Sequence, residues 1–245
     1  MNYYARHLSL KEFGESEQAR IQSAKVLIVG CGGLGNLAAM YLTTAGVGKL
    51  CINDFDSVDE SNLQRQILFR TSDIGHNKAA IAQQKLADMN PDCELTFIDK
   101  RLSLEALLEL TQDTDLILDC TDNFASRLNI NHASQKNNIA LISGAAIRFE
   151  GQLSVFDPAV EDSPCYQCLH QNAEAGLEDC AGNGILAPVT GIIASSMAVE
   201  AIKHLSSIGQ TLVGRLQLYD ARHAHWREIK IRKDPDCACC GSSSD

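Results

Sequence analysis

The sequence predicts an α/β fold: a Rossmann-like, mainly parallel sheet with helices on both faces, extended by antiparallel strands. Through the first 150 residues, short continuous apolar runs alternate with helical segments. This alternation is typical of buried parallel strands joined by right-handed crossover helices. The first run, residues 25–30, stops at a glycine-rich turn that opens a helix. After residue 150 apolar and polar residues alternate, which indicates antiparallel strands.

Each predicted element follows from its apolar pattern and from the residues that end it. The helix at 34–44 has a face of small side chains that includes Ala38 and Ala39, and the helix at 78–89 ends where Asn90 precedes a proline. The helix after Pro188 is apolar around much of its circumference, which suits burial against the sheet or a partner subunit. The other predicted helices are 104–110 and 126–137. The predicted strands are 25–30, 49–54, 94–98, 115–120, 140–143, 151–156, 216–219 and 226–231.

Composition and charge narrow the class of protein. We expect a single domain over residues 1–245, with a polar loop at 171–184 and a disordered tail at 242–245. The chain is 45% hydrophobic and 21% charged, as in ordinary globular proteins, and its net charge is −10. This acidic balance argues against nucleic acid and anionic membranes as partners. Because we find no secretory signal and no sustained apolar span, we expect a cytoplasmic protein whose cysteines stay reduced.

A glycine-rich turn between the first strand and the helix at 34–44 predicts nucleotide binding. Its glycines are Gly30, Gly32, Gly33 and Gly35, which fit the dinucleotide-binding pattern in its expected strand–turn–helix setting. Glycine lets the backbone turn sharply and approach a phosphate, and the helix N-terminus offers free N–H groups. Asp54 ends the second strand, where an acidic side chain can hold ribose hydroxyls. A tight turn that binds no ligand is the alternative.

Polar and basic residues beyond the second strand argue against hydride transfer. Asn62, Arg65 and Gln66 lie close together in the sequence, and Lys78 begins the next predicted helix. A nicotinamide site does not require several cations near the phosphates, whereas a site that develops extra negative charge on phosphorus does. Taken singly, each cation could be a solvated surface charge. Asp122, just past the fourth strand, lies at the sheet edge where ligands bind and could hold magnesium, or it could cap the helix that follows.

The ten cysteines divide by their spacing. The two C-x-x-C pairs are Cys165 with Cys168 and Cys237 with Cys240. Together they predict a closed, structural zinc site of four thiolates, with a redox-active dithiol as the alternative and Cys239 as a poorer ligand by its spacing. Cys180 lies alone in the polar loop, where a thiol could act as a nucleophile, although its acidic neighbours disfavour the thiolate. The cysteines predicted to be small core residues are Cys31, Cys51, Cys93 and Cys120.

These motifs together resemble the bacterial MoeB/ThiF family, relatives of ubiquitin-activating enzymes that adenylate small sulfur-carrier proteins. The similarity runs from about Tyr4 to Gly241, and it is carried by the segments 30–35, 54–56, 62–66 and 120–123 and by the paired C-x-x-C motifs. It implies that the C-terminal Gly-Gly carboxylate of a ubiquitin-like carrier attacks the α-phosphate of ATP. Pyrophosphate would leave, and the carrier acyl-adenylate would receive sulfur from a separate donor, such as a cysteine desulfurase.

The resemblance implies an ATP site with Mg²⁺ at the glycine-rich turn. Arg65 and Lys78 would neutralise the phosphates, and Asp122 would hold the magnesium ion. The other residues implied for this site are Asp54, Asp56, Asn62, Gln66 and Asn123, along with the glycines of the turn. Residues up to about 150 would then bind the nucleotide, and residues 151–241 would bind the carrier and a structural Zn²⁺.

Two further residues match functional positions of the family. Arg6 matches an arginine that reaches into the partner subunit's site as an arginine finger, which implies a homodimer. Cys180 matches a cysteine that is present in both the molybdopterin-synthase and the thiazole branches of the family and that the thiazole branch uses for a persulfide link to the carrier, so it does not distinguish the branches.

The choice between branches of the family, and between adenylation and its rival functions, depends on weaker signals. Residues 143–152 and 187–188 resemble the molybdopterin-synthase branch, whereas residues 64–69 resemble the thiazole branch as much. We therefore expect a role in molybdenum cofactor biosynthesis, with thiamine biosynthesis as the alternative. An NAD-dependent oxidoreductase is the rival from another enzyme class, but it leaves Arg65, Lys78, Asp122 and the thiolates without a role. A non-catalytic scaffold held together by zinc is the third hypothesis.

Overall fold

The strands form one mixed sheet in a computed structural model that describes residues 3–170 and 184–241. They are β1 (Lys25–Val29), β2 (Lys49–Asn53), β3 (Glu94–Ile98), β4 (Leu116–Asp119), β5 (Ala140–Ile147), β6 (Glu150–Phe156), β7 (Arg215–Asp220) and β8 (His225–Lys230). Their order in the sheet is β3-β2-β1-β4-β5-β6-β7-β8. The pairings from β3 to β5 are parallel, and those from β5 to β8 are antiparallel.

Helices cover both faces of the parallel part of the sheet. They are α1 (Ala5–Leu8), α2 (Glu15–Ser23), α3 (Gly35–Ala45), α4 (Lys78–Ala87), α5 (Leu104–Leu110), α6 (Phe124–Asn137), α7 (Tyr166–Leu169) and α8 (Ala187–Ser206). One face packs against α3, α4 and α8, and the other against α5 and α6. Across the described residues, we find no helix with both the length and the apolar character that a bilayer crossing needs.

The central strands are apolar along their whole length because both of their faces are covered. In β1, Val26 and Ile28 enter the core shared with α3, α4 and α8, whereas Leu27 and Val29 enter the core shared with α5 and α6. This is the pattern expected of parallel strands between two helical layers. The edge strands differ: β3 has no buried residue, and β8 is exposed along its length.

The predicted fold class is confirmed, and most predicted elements lie where the sequence placed them. β3 and α5 have the predicted bounds, whereas β5 runs past Ser143 to Ile147. The sequence missed α1, α2 and α7. Of these, α2 is largely polar and buries only Gln18 and Ile21, so it has no apolar periodicity to detect. The tail at 242–245 and the predicted loop, apart from Gly184, lie outside the described residues.

Candidate functional site

A cleft of about 750 Å³ lies at the carboxyl ends of β1, β2 and β4, where the strand order reverses. In open α/β sheets this switch point is where ligands bind, and the volume is within the roughly 300–1,000 Å³ of small-molecule sites. The cleft brings together most of the residues that the sequence predicted for the ATP site. Those that line it are Gly30, Gly32, Gly33, Asp54, Asp56, Asn62, Arg65, Gln66, Lys78, Asp122 and Asn123.

The glycine-rich turn between β1 and α3 requires glycine for packing at two positions and is open to the cleft at a third. Gly30 has a φ of 91°, and a Cβ there would lie 2.8 Å from the Cys120 carbonyl oxygen. A Cβ at Gly35 would lie 1.8 Å from the Gly30 carbonyl oxygen, so Gly35 serves the packing of α3 and does not line the cleft. At Gly32 the atom nearest to an added Cβ is Gln66 Nε2, at 3.7 Å. The Gly32 backbone is therefore accessible to a ligand.

Asp54 ties the end of β2 to the glycine-rich turn. Its buried carboxylate accepts hydrogen bonds from the Cys31 N–H at 2.7 Å and from the Asp56 N–H at 2.9 Å, one on each oxygen. Burial raises the pKa of Asp54, and these hydrogen bonds and the Lys78 ammonium oppose the rise. Each oxygen keeps a lone pair, so the carboxylate can still accept a ribose hydroxyl.

Lys78 is the first residue of α4 and is buried in the wall of the cleft, with 6% of its surface exposed. Its Nζ lies 3.2 Å from Asp56 Oδ2, and its backbone N–H donates to the Asp56 carbonyl at 2.9 Å. The preceding residue, Asn77, caps α4 by accepting from the Ala80 N–H, and it also donates to the Asp54 carbonyl. The ammonium is thus held in place beside the cleft, where a desolvated cation attracts an anionic ligand.

The segment after β2 brings Arg65 and Gln66 to the cleft. The Arg65 guanidinium donates at 3.0 Å to the carbonyl of Ser61, which lies in the short 3₁₀ turn Glu60–Asn62. Gln66 is 3% exposed, and its Oε1 has no hydrogen-bond partner among residues 3–170 and 184–241. Buried polar atoms without a partner are rare in native proteins, so this amide is available to a ligand.

Asp122 lies at the cleft and does not cap α6. The N-cap is Asn123, whose side chain accepts from the Ser126 N–H at 2.9 Å. The loop before it is fixed by buried Asp119, whose carboxylate accepts from the Thr121 N–H at 3.0 Å and from its hydroxyl at 2.7 Å. Asp122 itself is exposed, and within the described part of the chain it has no hydrogen-bond or ion-pair partner. Its carboxylate is of the ligand type that magnesium prefers.

Two arginines that the sequence analysis did not single out also line the cleft. Arg101 follows β3 and stacks its guanidinium on the Phe55 ring, 4.4 Å from the centroid. Arg127 is in the first turns of α6, is 7% exposed, and donates to the carbonyls of Thr121 and Gly144. No local motif marks Arg101. The position of Arg127 could have been inferred from the sequence, because a cation early in the helix after β4 must lie near the carboxyl ends of the parallel strands.

Arg6 lies near the amino ends of the strands, whereas the cleft lies at their carboxyl ends. It is exposed on α1, beside Tyr4, whose hydroxyl accepts from Asn90 Nδ2 at 3.0 Å. The Tyr4 ring packs so closely on Gly46 that a Cβ there would lie 2.6 Å from it. Because Gly46 leads into β2, this contact marks the amino ends of the strands. The structure therefore does not bring Arg6 to the cleft of its own chain.

The four cysteines of the C-x-x-C pairs form one cluster, although Cys165 and Cys237 are 72 positions apart in the sequence. Their sulfur atoms all lie within 4.8 Å of one another. The Sγ–Sγ distances are 3.9 Å for Cys165 to Cys168, 3.6 Å for Cys165 to Cys237, and 3.3 Å for Cys168 to Cys240. Four thiolates around a tetrahedral zinc ion would lie about 3.8 Å apart. The donor set and its spacing therefore fit a closed zinc site.

Most of the remaining cysteines pack in the core. Cys31, Cys93 and Cys120 are buried, and burial raises the pKa of each thiol, which confirms their predicted packing role. Cys51 is half-buried. Cys239 stays outside the group of four that can hold a metal ion. Cys180 lies outside the described residues.

Comparison with known proteins identifies the family of this chain. The ThiF family matches residues 4–239. The chain is 42% identical to the sulfur carrier protein ThiS adenylyltransferase of Escherichia coli K12, over 98% of this chain and 95% of the relative. It is also 42% identical to the molybdopterin-synthase adenylyltransferase of Salmonella typhimurium LT2, over 97% and 95% of the two chains. The structure of E. coli MccB with ATP shares the fold, with a TM-score of 0.86 at 21% identity over 98% of this chain and 74% of that one. The resemblance inferred from the motifs is confirmed, and this chain belongs to the ThiF family.

Proposed function

We propose that this protein uses ATP to adenylate the C-terminal carboxylate of a small ubiquitin-like sulfur-carrier protein. The two relatives described above are named as adenylyltransferases, of a sulfur carrier and of molybdopterin synthase. The observation that carries the proposal is the composition of the cleft, in which the open backbone of Gly32 shares one cavity with Arg65, Lys78 and Asp122. An NAD-dependent oxidoreductase would use the glycines but would have no use for these charges.

In the proposed reaction, a carboxylate oxygen of the carrier attacks the α-phosphorus of ATP. The bond from the α-phosphorus to the oxygen that bridges to the β-phosphate breaks, and pyrophosphate leaves with the electron pair. Lys78 and Arg65 stabilise the charge that develops on the phosphates, and the Gly32 backbone and the N-terminus of α3 bind phosphate oxygens. Asp54 holds the ribose. The residues proposed to help position the phosphates are Asn62 and Gln66.

Two metal ions belong to the proposal. Mg²⁺ would offset the charge of the phosphates and polarise the α-phosphate, and Asp122 fits as its ligand because this carboxylate is exposed at the cleft. Zn²⁺ would occupy the four-thiolate cluster. A closed tetrahedral site offers no open position for catalysis, so the role of zinc would be to hold residues 237–240 against the short helix α7.

The proposed partners are a carrier, a second copy of the chain and a sulfur donor. The carrier of molybdopterin synthase is our first choice because of the resemblance at residues 143–152, and the thiazole carrier is the alternative, since relatives of both kinds are 42% identical to this chain. In a homodimer, Arg6 would complete the cleft of the partner subunit, which suits its position at the edge away from its own cleft. A cysteine desulfurase or another donor would supply sulfur, with Cys180 as the candidate for a persulfide link.

ATP–pyrophosphate exchange tests this function. The full-length protein is assayed with Mg²⁺ and each of the two carriers in separate reactions. We expect exchange with one intact carrier and none with the same carrier lacking its last two glycines. Asp122→Ala should nearly abolish exchange while zinc content and melting temperature stay unchanged. Exchange that needs no carrier, or no exchange with either carrier in folded and zinc-loaded protein, would contradict the proposal.

A further inference from the structure

A polar side chain is buried in the first turn of α3, directly behind the glycine-rich turn. Asn36 is fully buried and does not line the cleft. Asparagine is a poor residue for the interior of a helix, and a buried side-chain amide lowers stability unless its polar atoms are hydrogen-bonded. In the described part of the chain, however, Asn36 Oδ1 has no hydrogen-bond partner. The stability of the fold therefore does not by itself explain an asparagine at this position.

The side-chain amide of Asn36 holds the backbone of the glycine-rich turn. Asn36 Nδ2 donates to the carbonyl of Gly32, and the same carbonyl accepts from the Asn36 backbone N–H at 3.2 Å. Because only an N–H can donate to a carbonyl, this contact sets the orientation of the amide and turns Oδ1 away from the turn. Both lone pairs of the Gly32 carbonyl are thus occupied by a single residue of α3.

A carbonyl that is held in this way also fixes the N–H of the next residue. The peptide between Gly32 and Gly33 is trans and planar, so its C=O and its N–H point in opposite directions. The Gly32 carbonyl points along α3, since it accepts from the residue four positions on, and the Gly33 N–H therefore points away from the helix. Both glycines line the cleft, and within the residues that the structure describes the Gly33 N–H has no acceptor. This N–H is available to an anionic ligand at the N-terminus of α3.

The peptide needs such support because it lies between two glycines. A Cβ at Gly33 would lie 3.0 Å from Thr190 Cγ2 of α8, so the close packing of α8 excludes a larger residue there. Without side chains, both Gly32 and Gly33 have the widest range of backbone conformations, and the peptide between them is easily reoriented. A second hydrogen bond on the Gly32 carbonyl opposes that rotation. Donors that are already oriented stabilise developing charge without a cost of reorganisation.

We propose that Asn36 is a positioning residue for the phosphate site, where it fixes the peptide between Gly32 and Gly33 so that the Gly33 N–H faces the phosphates of ATP. Asn36 does not touch the nucleotide and acts only through this peptide. The unpaired Oδ1 is then the cost in stability of placing an N–H donor behind the turn. The inference rests on the proposed function for ATP as the ligand, and it does not involve the carrier.

Two substitutions of similar size test whether the hydrogen bond matters. Asn36→Ala removes the side-chain donor to Gly32, whereas Asn36→Ser keeps one, because a serine hydroxyl in a helix can donate to the carbonyl four residues earlier. Ser195 of α8 makes this bond to the Gly191 carbonyl at 2.8 Å. By calorimetry on the full-length protein with Mg²⁺ and a non-hydrolysable ATP analogue, Asn36→Ala should bind about three- to tenfold more weakly than the wild type, the range of one hydrogen bond. Asn36→Ser should stay within about twofold of the wild type.

Three further measurements separate this role from a general structural one. Thr44→Ala is the matched control, since Thr44 Oγ1 donates to the Met40 carbonyl at 2.9 Å in the last turn of the same helix, and its affinity for the analogue should equal that of the wild type. Asn36→Leu, which has nearly the shape of asparagine and no donor, should behave like Asn36→Ala. Adenosine has no phosphate, so its dissociation constant, measured by displacement of the analogue, should be the same in Asn36→Ala and the wild type. Melting temperature and zinc content show that each variant is folded.

The outcomes that would overturn the inference are distinct from those that would overturn the proposed function. Wild-type affinity for the analogue in folded Asn36→Ala or Asn36→Leu would overturn the inference. An equal loss of affinity in Asn36→Ser would do the same, because the missing donor would then not be the cause, and so would an equal loss of adenosine affinity. In each of these cases the wild type still binds ATP and the proposed function stands. If folded, zinc-loaded wild type binds no ATP analogue, the proposed function fails and this inference fails with it.

Discussion

Replacing Gly32 with alanine should separate nucleotide binding from folding. Gly32 does not need a left-handed backbone, and an added Cβ would meet nothing closer than Gln66 Nε2 at 3.7 Å, an ordinary van der Waals distance. Since alanine also restricts the unfolded chain, the free energy of unfolding should stay at the wild-type value or rise by about 0.4–1 kcal/mol. The same methyl group would project into the cleft, where the phosphates must approach the backbone. A phosphate displaced by about 1 Å should lower the adenylation rate on the order of 100-fold.

Gly35→Ala is the matched control with the opposite expectation. Its Cβ would lie 1.8 Å from the Gly30 carbonyl oxygen, so the backbone of the turn must move. Ordinary overpacking costs about 1–3 kcal/mol, and we expect a loss of stability at or above the upper end of that range. Denaturant unfolding gives the stability of both variants, calorimetry gives their ATP affinity, and pyrophosphate exchange gives the rate. A stable Gly32→Ala protein that binds and uses ATP like the wild type would refute the assignment of this turn to the phosphates.

Three further predictions concern the zinc site, the dimer and one ion pair. Cys168→Ala should release zinc and lower the melting temperature, because three thiolates no longer close the site; an unchanged metal content would contradict the assignment. Mixing inactive Arg6→Ala with inactive Asp122→Ala protein should restore part of the activity, since a mixed dimer has one site with both residues intact; no recovery after proven subunit exchange would count against the arginine acting in trans. Lys85→Met should cost about 1 kcal/mol at pH 7, because Lys85 Nζ lies 2.5 Å from a buried Asp73 oxygen. Burial raises the pKa of Asp73, but its contacts, with the Lys85 hydrogen bond foremost, lower this pKa overall. The stabilisation from the Lys85–Asp73 ion pair is therefore present above an unfolded-state pKa of about 4 and is lost as the pH falls. Thermal melts of the wild type and of Lys85→Met should converge towards about pH 3.

The sequence was informative where a signal is local or has a fixed spacing. The strand–turn–helix setting of the glycine-rich segment predicted a sharp turn between β1 and α3, and the structure shows that Gly30 and Gly35 are positions in it where the backbone leaves no room for a Cβ. The two C-x-x-C pairs predicted a common cluster although corresponding cysteines are 72 positions apart in the sequence, since each pair supplies two ligands at a spacing that zinc requires. The apolar runs of the central strands were equally clear, because both faces of the sheet are covered.

Other features depend on the folded backbone. Arg101 reaches the cleft from the end of the edge strand β3 and stacks on Phe55, which follows a different strand, so no contiguous motif contains the pair. The sequence left open whether Asp122 caps α6, and the choice of Asn123 required the geometry of the helix start. The hydrogen bond from the Tyr166 N–H to Asn131 Oδ1, which ties the segment of the first C-x-x-C pair to α6, joins parts of the chain that only tertiary packing brings together.

Transfer of the α-phosphate of ATP to the carrier tests the proposed chemistry most directly. The carrier is incubated with the zinc-loaded protein, Mg²⁺ and ATP labelled in either the α- or the γ-phosphate, and the product is then treated with hydroxylamine. Adenylation predicts label on the carrier from α-labelled ATP alone, in an adduct that hydroxylamine releases. Label from the γ-phosphate would contradict it, as would the absence of label from either position, with both carriers, in protein that binds ATP.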